Sequence, residues 1–154
     1  MIEGVEIKEL KVVKDDRGYL MEMMRSDDSF FRQFGQVYLS VCNPGIVKGF
    51  HYHKKQWDRF VIVKGNAKIV LYDGREDSPT YKEINEFEIG EKNPILLVIP
   101  PYVYHAMTPA KDDEPIYLVN TPTEKYNYDE PDEHRAPFDS KMIGYDWGKG
   151  KRGH

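Results

Sequence analysis

Disulfide bonds, membrane-spanning runs and a basic surface are all missing from this 154-residue sequence. A single cysteine, Cys42, excludes an intrachain disulfide and favours a reducing compartment, so we expect a cytoplasmic protein with a buried thiol. No apolar run approaches the ~20 residues of a transmembrane helix. The N-terminus has no positively charged region followed by an apolar run, so we expect no signal peptide. The net charge of −4 argues against nucleic acid as a partner.

Short strand patterns separated by turn signals fill most of the chain. The predicted strands are residues 7–13, 19–25, 36–42, 47–53, 57–63, 67–72, 81–89, 95–99, 105–108 and 116–120. Only residues 29–34, which follow several N-cap side chains, predict a short helix. This pattern indicates one all-β domain over residues 1–154, a sandwich or barrel with its core at about 5–120 and a polar tail, 121–154, wrapped over the barrel or a neighbour.

The histidines mark a site. His51 and His53 are two positions apart and share one face of a strand, and Asp58 returns to that face from the next strand. His105 follows a Pro-Pro turn that starts another strand. Burying four such groups is costly without a purpose, so we expect them to line a functional interior. Imidazoles with a carboxylate suit a divalent metal, and they equally suit metal-free proton transfer near neutral pH.

Two stretches resemble the motifs of the cupin superfamily. Residues 49–65 carry the His-x-His, acidic residue and glycine of the first motif, with Asp58 where glutamate is usual. Residues 100–105 (PPYVYH) resemble the second motif, with Tyr102 where glycine is usual. The resemblance implies a double-stranded β-helix, the cupin jelly-roll barrel, which agrees with the strand count.

Within the cupins, the chain resembles the dTDP-4-dehydrorhamnose 3,5-epimerase family over most of its length. The matching stretches are 16–22 (DRGYLME), 48–51 (KGFH), 73–80 (DGREDSPT), 98–100 (VIP) with His105, and 143–147 (IGYDW). The stretch at 73–80 is the most specific, because no general cupin requirement explains it.

This resemblance implies an isomerase without a cofactor that inverts C3, C5 or both of a nucleotide-linked 4-keto-6-deoxyhexose, in rhamnose or polysaccharide biosynthesis. His51 matches the catalytic base, and Lys48 keeps a positive charge where the family has an arginine. Arg17 and Glu22 match residues that contact the nucleotide, often across a dimer interface, so the resemblance also implies a homodimer.

The chain departs from the family pattern at three points. Asp58 replaces a lysine that stabilises the enolate, and the family's catalytic tyrosine falls near Leu118. The aspartate that orients the base falls past residue 154, so Asp58 or His105 is expected to hold His51. The resulting interpretation assigns catalysis to His51, Lys48, Asp58, His105 and Tyr104, and substrate binding to Arg17, Glu22, His53, Tyr117 and Tyr126, with the acid left open among Tyr104, Tyr117 and Tyr126.

Two alternatives stay open. In the first, His51, His53, Asp58 and His105 hold a divalent metal in an oxygenase or isomerase. In the second, the protein is a non-catalytic, sugar-binding cupin. The stretches at 73–80 and 143–147 favour the epimerase, since neither contributes to a metal site.

Overall fold

The computed structural model describes residues 1–153, which form thirteen strands. The strands are β1 Glu6–Glu9, β2 Val12–Asp15, β3 Gly18–Met21, β4 Tyr38–Cys42, β5 Ile46–Tyr52, β6 Asp58–Lys64, β7 Asn66–Asp73, β8 Ile84–Gly90, β9 Ile95–Ile99, β10 Val103–Pro109, β11 Ile116–Asn120, β12 His134–Arg135 and β13 Arg152–Gly153. The longer strands, such as β6 and β7, are rich in β-branched and aromatic residues, the composition that suits a pleated, half-buried surface.

Two sheets face each other across one core. The first has the order β1-β9-β6-β11-β4, and the second has the order β12-β5-β10-β7-β8, with β13 alongside β5. Alternate residues of both sheets point inward and form a hydrophobic cluster that includes Phe60, Ile69, Leu97 and Leu118. The strands β2 and β3 form a separate hairpin outside these sheets. The two sheets therefore form the two opposed walls of the fold.

The predicted strands match the observed ones closely, with small shifts at their ends. One predicted strand, 7–13, is divided into β1 and β2. The break falls at the buried Leu10, whose N–H donates to the carbonyl of Pro94. Two short strands in the tail, β12 and β13, were not predicted. Both pair with β5, so the tail is attached to the strand that carries His51.

The predicted helix at 29–34 is wrong. Residues 1–153 contain no helix, and hence none able to cross a membrane. A single turn forms at Asp28, but Arg32 adopts a positive φ of 53° and stops it. The buried guanidinium of Arg59 takes the carbonyls of Phe31 and Gln33 as acceptors, which holds the segment in an irregular path.

The tail covers the outer face of the second sheet. Ile143 and Trp147 are buried there against Phe50 and Val70, and the indole N–H of Trp147 donates to the carbonyl of Phe138 at 2.9 Å. Residues 143–147, singled out in the sequence, are thus packing residues. The outer face of the first sheet is covered by the segment that includes Met21, Met24 and Phe30.

Candidate active site

A bulge in β5 brings Lys48 and His51 to the same face. His105 of β10 pairs with His51, whereas Met107 pairs with Lys48, so three residues of β5 span two of β10. The extra residue is Gly49, at φ 129°. A Cβ there would lie 2.5 Å from the Cβ of Ala106, so only glycine fits the close approach of the two strands.

Asp58 is the buried centre of the site. One of its carboxylate oxygens, Oδ2, lies 3.1 Å from Nε2 of His53 and 3.4 Å from Nε2 of His105. The other, Oδ1, accepts hydrogen bonds from the side-chain amides of Gln56 at 2.8 Å and Asn120 at 2.7 Å. A carboxylate that is 1% exposed is therefore fully satisfied by partners.

This carboxylate gives the neighbouring imidazoles different charge states. Burial opposes the charged form of His53, but the hydrogen bond and charge of Asp58 outweigh it and raise the pKa of His53 to about 9. Burial also acts against the charge of Asp58, yet His53 lowers the pKa of Asp58 to about 2. For His105 burial dominates and lowers its pKa to about 4. The site thus holds a charged pair and a neutral His105 at pH 7.

His51 lies beside this group without joining it. Its ring is 6.1 Å from the ring of His105, edge to face. Burial lowers the pKa of His51; the negative charge of Glu133 opposes that shift, and the positive charge of Arg135 adds to it. His51 is consequently a neutral imidazole at pH 7, the state in which it can accept a proton.

Three of the four predicted metal ligands lie close enough together to hold an ion. His53, Asp58 and His105 each offer an atom within 4.8 Å of the others, a donor set that suits zinc, iron or nickel. His51 is not a member of this group. A metal would have to displace the proton that joins His53 to Asp58, because metal binding requires the neutral imidazole.

A cavity of about 890 Å³ opens in front of these residues. His51, His53 and His105 line one wall, and Tyr38 and Ser40 of β4 line another. The ammonium group of Lys48 donates to Oγ of Ser40 at 3.1 Å and so connects the two sheets at the cavity wall. This volume lies in the range that is typical of small-molecule and cofactor sites.

Two of the predicted site tyrosines face away from the cavity. Tyr104 precedes His105 on β10 and, by strand alternation, points to the outer surface, where its ring lies 4.4 Å from that of Tyr52. Tyr117 precedes Leu118 on β11 and packs against the ammonium group of Lys64, 5.4 Å from its ring centre. The catalytic assignment of Tyr104 and the substrate contact of Tyr117 are therefore corrected.

The remaining predicted residues are divided between the cavity and the hairpin. Tyr126 lines the cavity, from the irregular segment after β11. Arg17, at the tip of the β2–β3 hairpin, is exposed and pairs with Asp15 at 2.5 Å. Glu22 follows the hairpin and lies 3.7 Å from Arg25. Neither Arg17 nor Glu22 lines this cavity within one chain.

Four cavity or network residues were missed by the sequence analysis: Tyr38, Asn120, Glu133 and Arg135. Alternation from Leu118 would have placed Asn120 inward, and Tyr38 is its partner on β4. Arg135 belongs to β12 and Glu133 immediately precedes it, and the two residues of β12 carry no strand signal of their own. Arg135 is the register partner of His51, and its guanidinium donates to Glu133 at 2.7 Å.

Sequence comparison identifies a family model and relatives that match most of the chain. Residues 13–134 match the family model described as the polysaccharide biosynthesis C-terminal domain. The chain is 43% identical over 147 residues to the spore coat polysaccharide biosynthesis protein SpsL of Bacillus subtilis, covering 96% of this chain and 97% of the relative. It is also 43% identical over 148 residues to the probable low-salt glycan biosynthesis epimerase Agl13 of Haloferax volcanii, covering 95% and 94%.

Solved structures share the fold. A dTDP sugar isomerase from Desulfovibrio desulfuricans superimposes with a TM-score of 0.88 at 32% identity, covering 95% of this chain and 92% of that chain. A dTDP-6-deoxy-D-glucose-3,5-epimerase from Legionella pneumophila superimposes with a TM-score of 0.86 at 20% identity, covering 99% and 84%. These neighbours confirm the predicted all-β cupin jelly roll.

Proposed function

The chain belongs to the polysaccharide biosynthesis C-terminal domain family, and on that basis we propose that it inverts C3, C5 or both of a nucleotide-linked 4-keto-6-deoxyhexose. It is an epimerase of the isomerase class, as the names of its relatives indicate. The names of its relatives also indicate polysaccharide biosynthesis. The dTDP sugars named for the structural neighbours make a dTDP sugar the first substrate to test.

The observation that carries this proposal is His51, a half-buried neutral imidazole that lines a cavity of about 890 Å³. A ketone at C4 acidifies the hydrogens on C3 and C5, and a neutral imidazole can remove one of them. The C–H electrons move into the C4 carbonyl and give an enolate. Return of a proton to the opposite face completes the inversion.

Positive charge near the enolate favours its formation. Lys48 and the imidazolium of His53 line the same cavity and provide that charge from the wall that carries His51. Asp58 has no role in direct contact with the sugar in this scheme. It keeps His53 charged and, with His105, orders the wall behind His51.

The proposal extends to a homodimer. The β2–β3 hairpin exposes Val13 and Leu20 at 52% and 66%, and because the two are register partners they form one apolar face that a second copy would cover. In this arrangement Arg17 and Glu22 reach the nucleotide of the partner, which accounts for their distance from the cavity of their own chain. A cytoplasmic location and the absence of a cofactor remain predictions.

The test is exchange of substrate hydrogen with solvent. The protein is incubated in deuterated water with dTDP-4-keto-6-deoxyglucose, and the deuterium at C3 and C5 is measured by NMR. We expect deuterium at an inverted carbon, and we expect His51→Asn to slow this exchange about 1,000-fold. His134→Asn is the matched control, because His134 stacks on Tyr52 outside the cavity.

The other two interpretations make different predictions in the same experiment. A sugar-binding protein gives no exchange with the wild-type chain. A metal-dependent reaction loses exchange after dialysis against a chelator, whereas proton abstraction by His51 does not need an ion. Either result would overturn the proposal.

A further inference from the structure

Tyr38 lies on the wall of the cavity that belongs to the first sheet. It is the first residue of β4, the edge strand of that sheet, and it lines the same cavity as His51, which belongs to the second sheet. A base and a tyrosine on different sheets can approach a bound sugar from different sides. Inversion at carbon requires such an arrangement, because the proton must leave from one face and return to the other.

The side-chain amide of Asn120 makes the hydroxyl oxygen of Tyr38 a hydrogen-bond acceptor. Oδ1 of Asn120 accepts the backbone N–H of Arg59 at 3.0 Å, which assigns the other atom as the amide nitrogen. Its two hydrogens are donated to Oδ1 of Asp58 at 2.7 Å and to the hydroxyl oxygen of Tyr38 at 2.9 Å. The phenol oxygen is thus an acceptor, and its own hydrogen has no acceptor within residues 1–153.

We propose that Tyr38 is the general acid of the epimerase, which donates its hydroxyl proton to the face of the sugar opposite His51. The proposal rests on the function proposed above. His51 takes the proton from carbon, and the electrons of that C–H bond form the enolate. The enolate then forms a new C–H bond with the Tyr38 proton, the C4 ketone is restored, and the O–H electrons remain on the phenolate. Proton exchange with solvent resets His51 and Tyr38.

The surroundings of Tyr38 suit this role in both protonation states. Partial burial of the phenol, together with the negative charge of Asp58, raises the pKa of Tyr38 to about 12, so the hydroxyl carries its proton at neutral pH. After transfer, the phenolate keeps the N–H of Asn120 as a hydrogen-bond donor. Asn120 is completely buried and held by β11, so this donor is already oriented.

The other tyrosines considered from the sequence are placed less well. Tyr104 and Tyr117 point away from the cavity. Tyr126 lines the cavity and is 40% exposed, as Tyr38 is, but it belongs to an irregular segment, where its ring packs on Tyr128 at 5.0 Å. Tyr126 is therefore the competitor that the experiment must separate from Tyr38.

The test separates removal of the proton from inversion of the carbon. In deuterated water, Tyr38→Phe should still exchange hydrogen, because His51 can remove a proton and return deuterium to the same face. Inverted product should fall about 100-fold, the loss expected for one general acid. The rate of exchange should stay within about threefold of the wild-type rate. Such a result would also show that the variant is folded and that the protein removes the substrate proton as proposed.

Two further variants complete the design. Tyr72→Phe removes a hydroxyl from the outer face of the second sheet and should leave exchange and inversion unchanged. Tyr126→Phe should retain inversion. Inversion by Tyr38→Phe within about threefold of the wild type would overturn the proposal, as would selective loss of inversion in Tyr126→Phe. A parallel loss of exchange and inversion in Tyr38→Phe would also overturn it. Absence of exchange with the wild-type protein would instead overturn the proposed function.

Discussion

At the scale of single residues, one carboxylate separates the roles of two neighbouring histidines. His51 and His53 have the same side chain on the same face of adjoining backbone, yet burial lowers the pKa of His51 while Asp58 raises that of His53 to about 9. One imidazole is thereby free to accept a proton, and the other carries a charge. Pairs of titratable side chains whose surroundings shift their pKa values in opposite directions are typical of acid–base catalytic sites.

The pH dependence of exchange follows from the state of His51. Only its neutral form accepts a proton, and burial lowers its pKa below the ordinary 6.5. The protonated form therefore accumulates only at pH values below 6.5, and kcat/KM for exchange should be constant near pH 7 and fall under more acidic conditions. Circular dichroism at each pH value checks that the protein stays folded. An acidic limb with its midpoint at pH 7 or above would contradict this assignment.

The residues of the site were only partly predictable from the sequence. The spacing of His51, His53 and Asp58 predicted their convergence, because a strand period of two and a short turn determine which face each residue occupies. Tyr104 was assigned by motif position, and the same alternation that places His105 inward places Tyr104 outward. Glu133 was not predictable, since its position depends on where the tail returns to β5.

At the scale of secondary-structure elements, the bulge in β5 determines the spacing of the cavity residues. Lys48 and His51 are three positions apart and would lie on opposite faces of a regular strand. The sequence shows the glycine between them but not the register of β10 against β5, which depends on a contact between distant segments. Local propensity predicted the strands well because their own residues favour extended backbone. It failed at residues 29–34, where long-range hydrogen bonds from Arg59 determine the backbone.

Gly49→Ala tests the bulge. The added methyl group would lie 2.5 Å from the Cβ of Ala106, so we expect a loss of about 3 kcal/mol in the free energy of unfolding and slower exchange. Gly45→Ala is the matched control. Gly45 also has a positive φ, 76°, but a Cβ there meets nothing within 4 Å, so its loss should be about 1 kcal/mol. Urea denaturation measures both values, and equal losses would contradict the close approach of β5 and β10.

At the scale of the whole molecule, two sheets form the walls of the cavity and the tail closes the outer face of one of them. The tail pairs with β5 at both of its short strands and buries Ile143 and Trp147 on the same sheet. The sequence predicted a wrapped tail from its polar, proline-rich composition. It could not predict which sheet the tail covers, because that choice depends on tertiary packing.

The exposed β2–β3 hairpin is the proposed interface of the homodimer, and a substitution there should change the oligomeric state. Replacing Leu20, which is 66% exposed, with glutamate should convert the proposed dimer to a monomer in sedimentation equilibrium. The KM for the nucleotide sugar should rise about tenfold, as expected when charge-assisted hydrogen bonds from Arg17 are lost. Met142→Glu, at a tail position that is 58% exposed, is the control and should not change the assembly. A Leu20→Glu protein that remains a dimer would contradict the proposed interface.

The most direct test of proton abstraction by His51 is chemical rescue. In deuterated water at pH 7, His51→Ala should lose deuterium incorporation at C3 and C5 of the nucleotide sugar by about 1,000-fold, and added imidazole should restore part of it in proportion to its concentration. Incorporation at the wild-type rate by His51→Ala without imidazole would contradict the account, because another group would then be removing the proton.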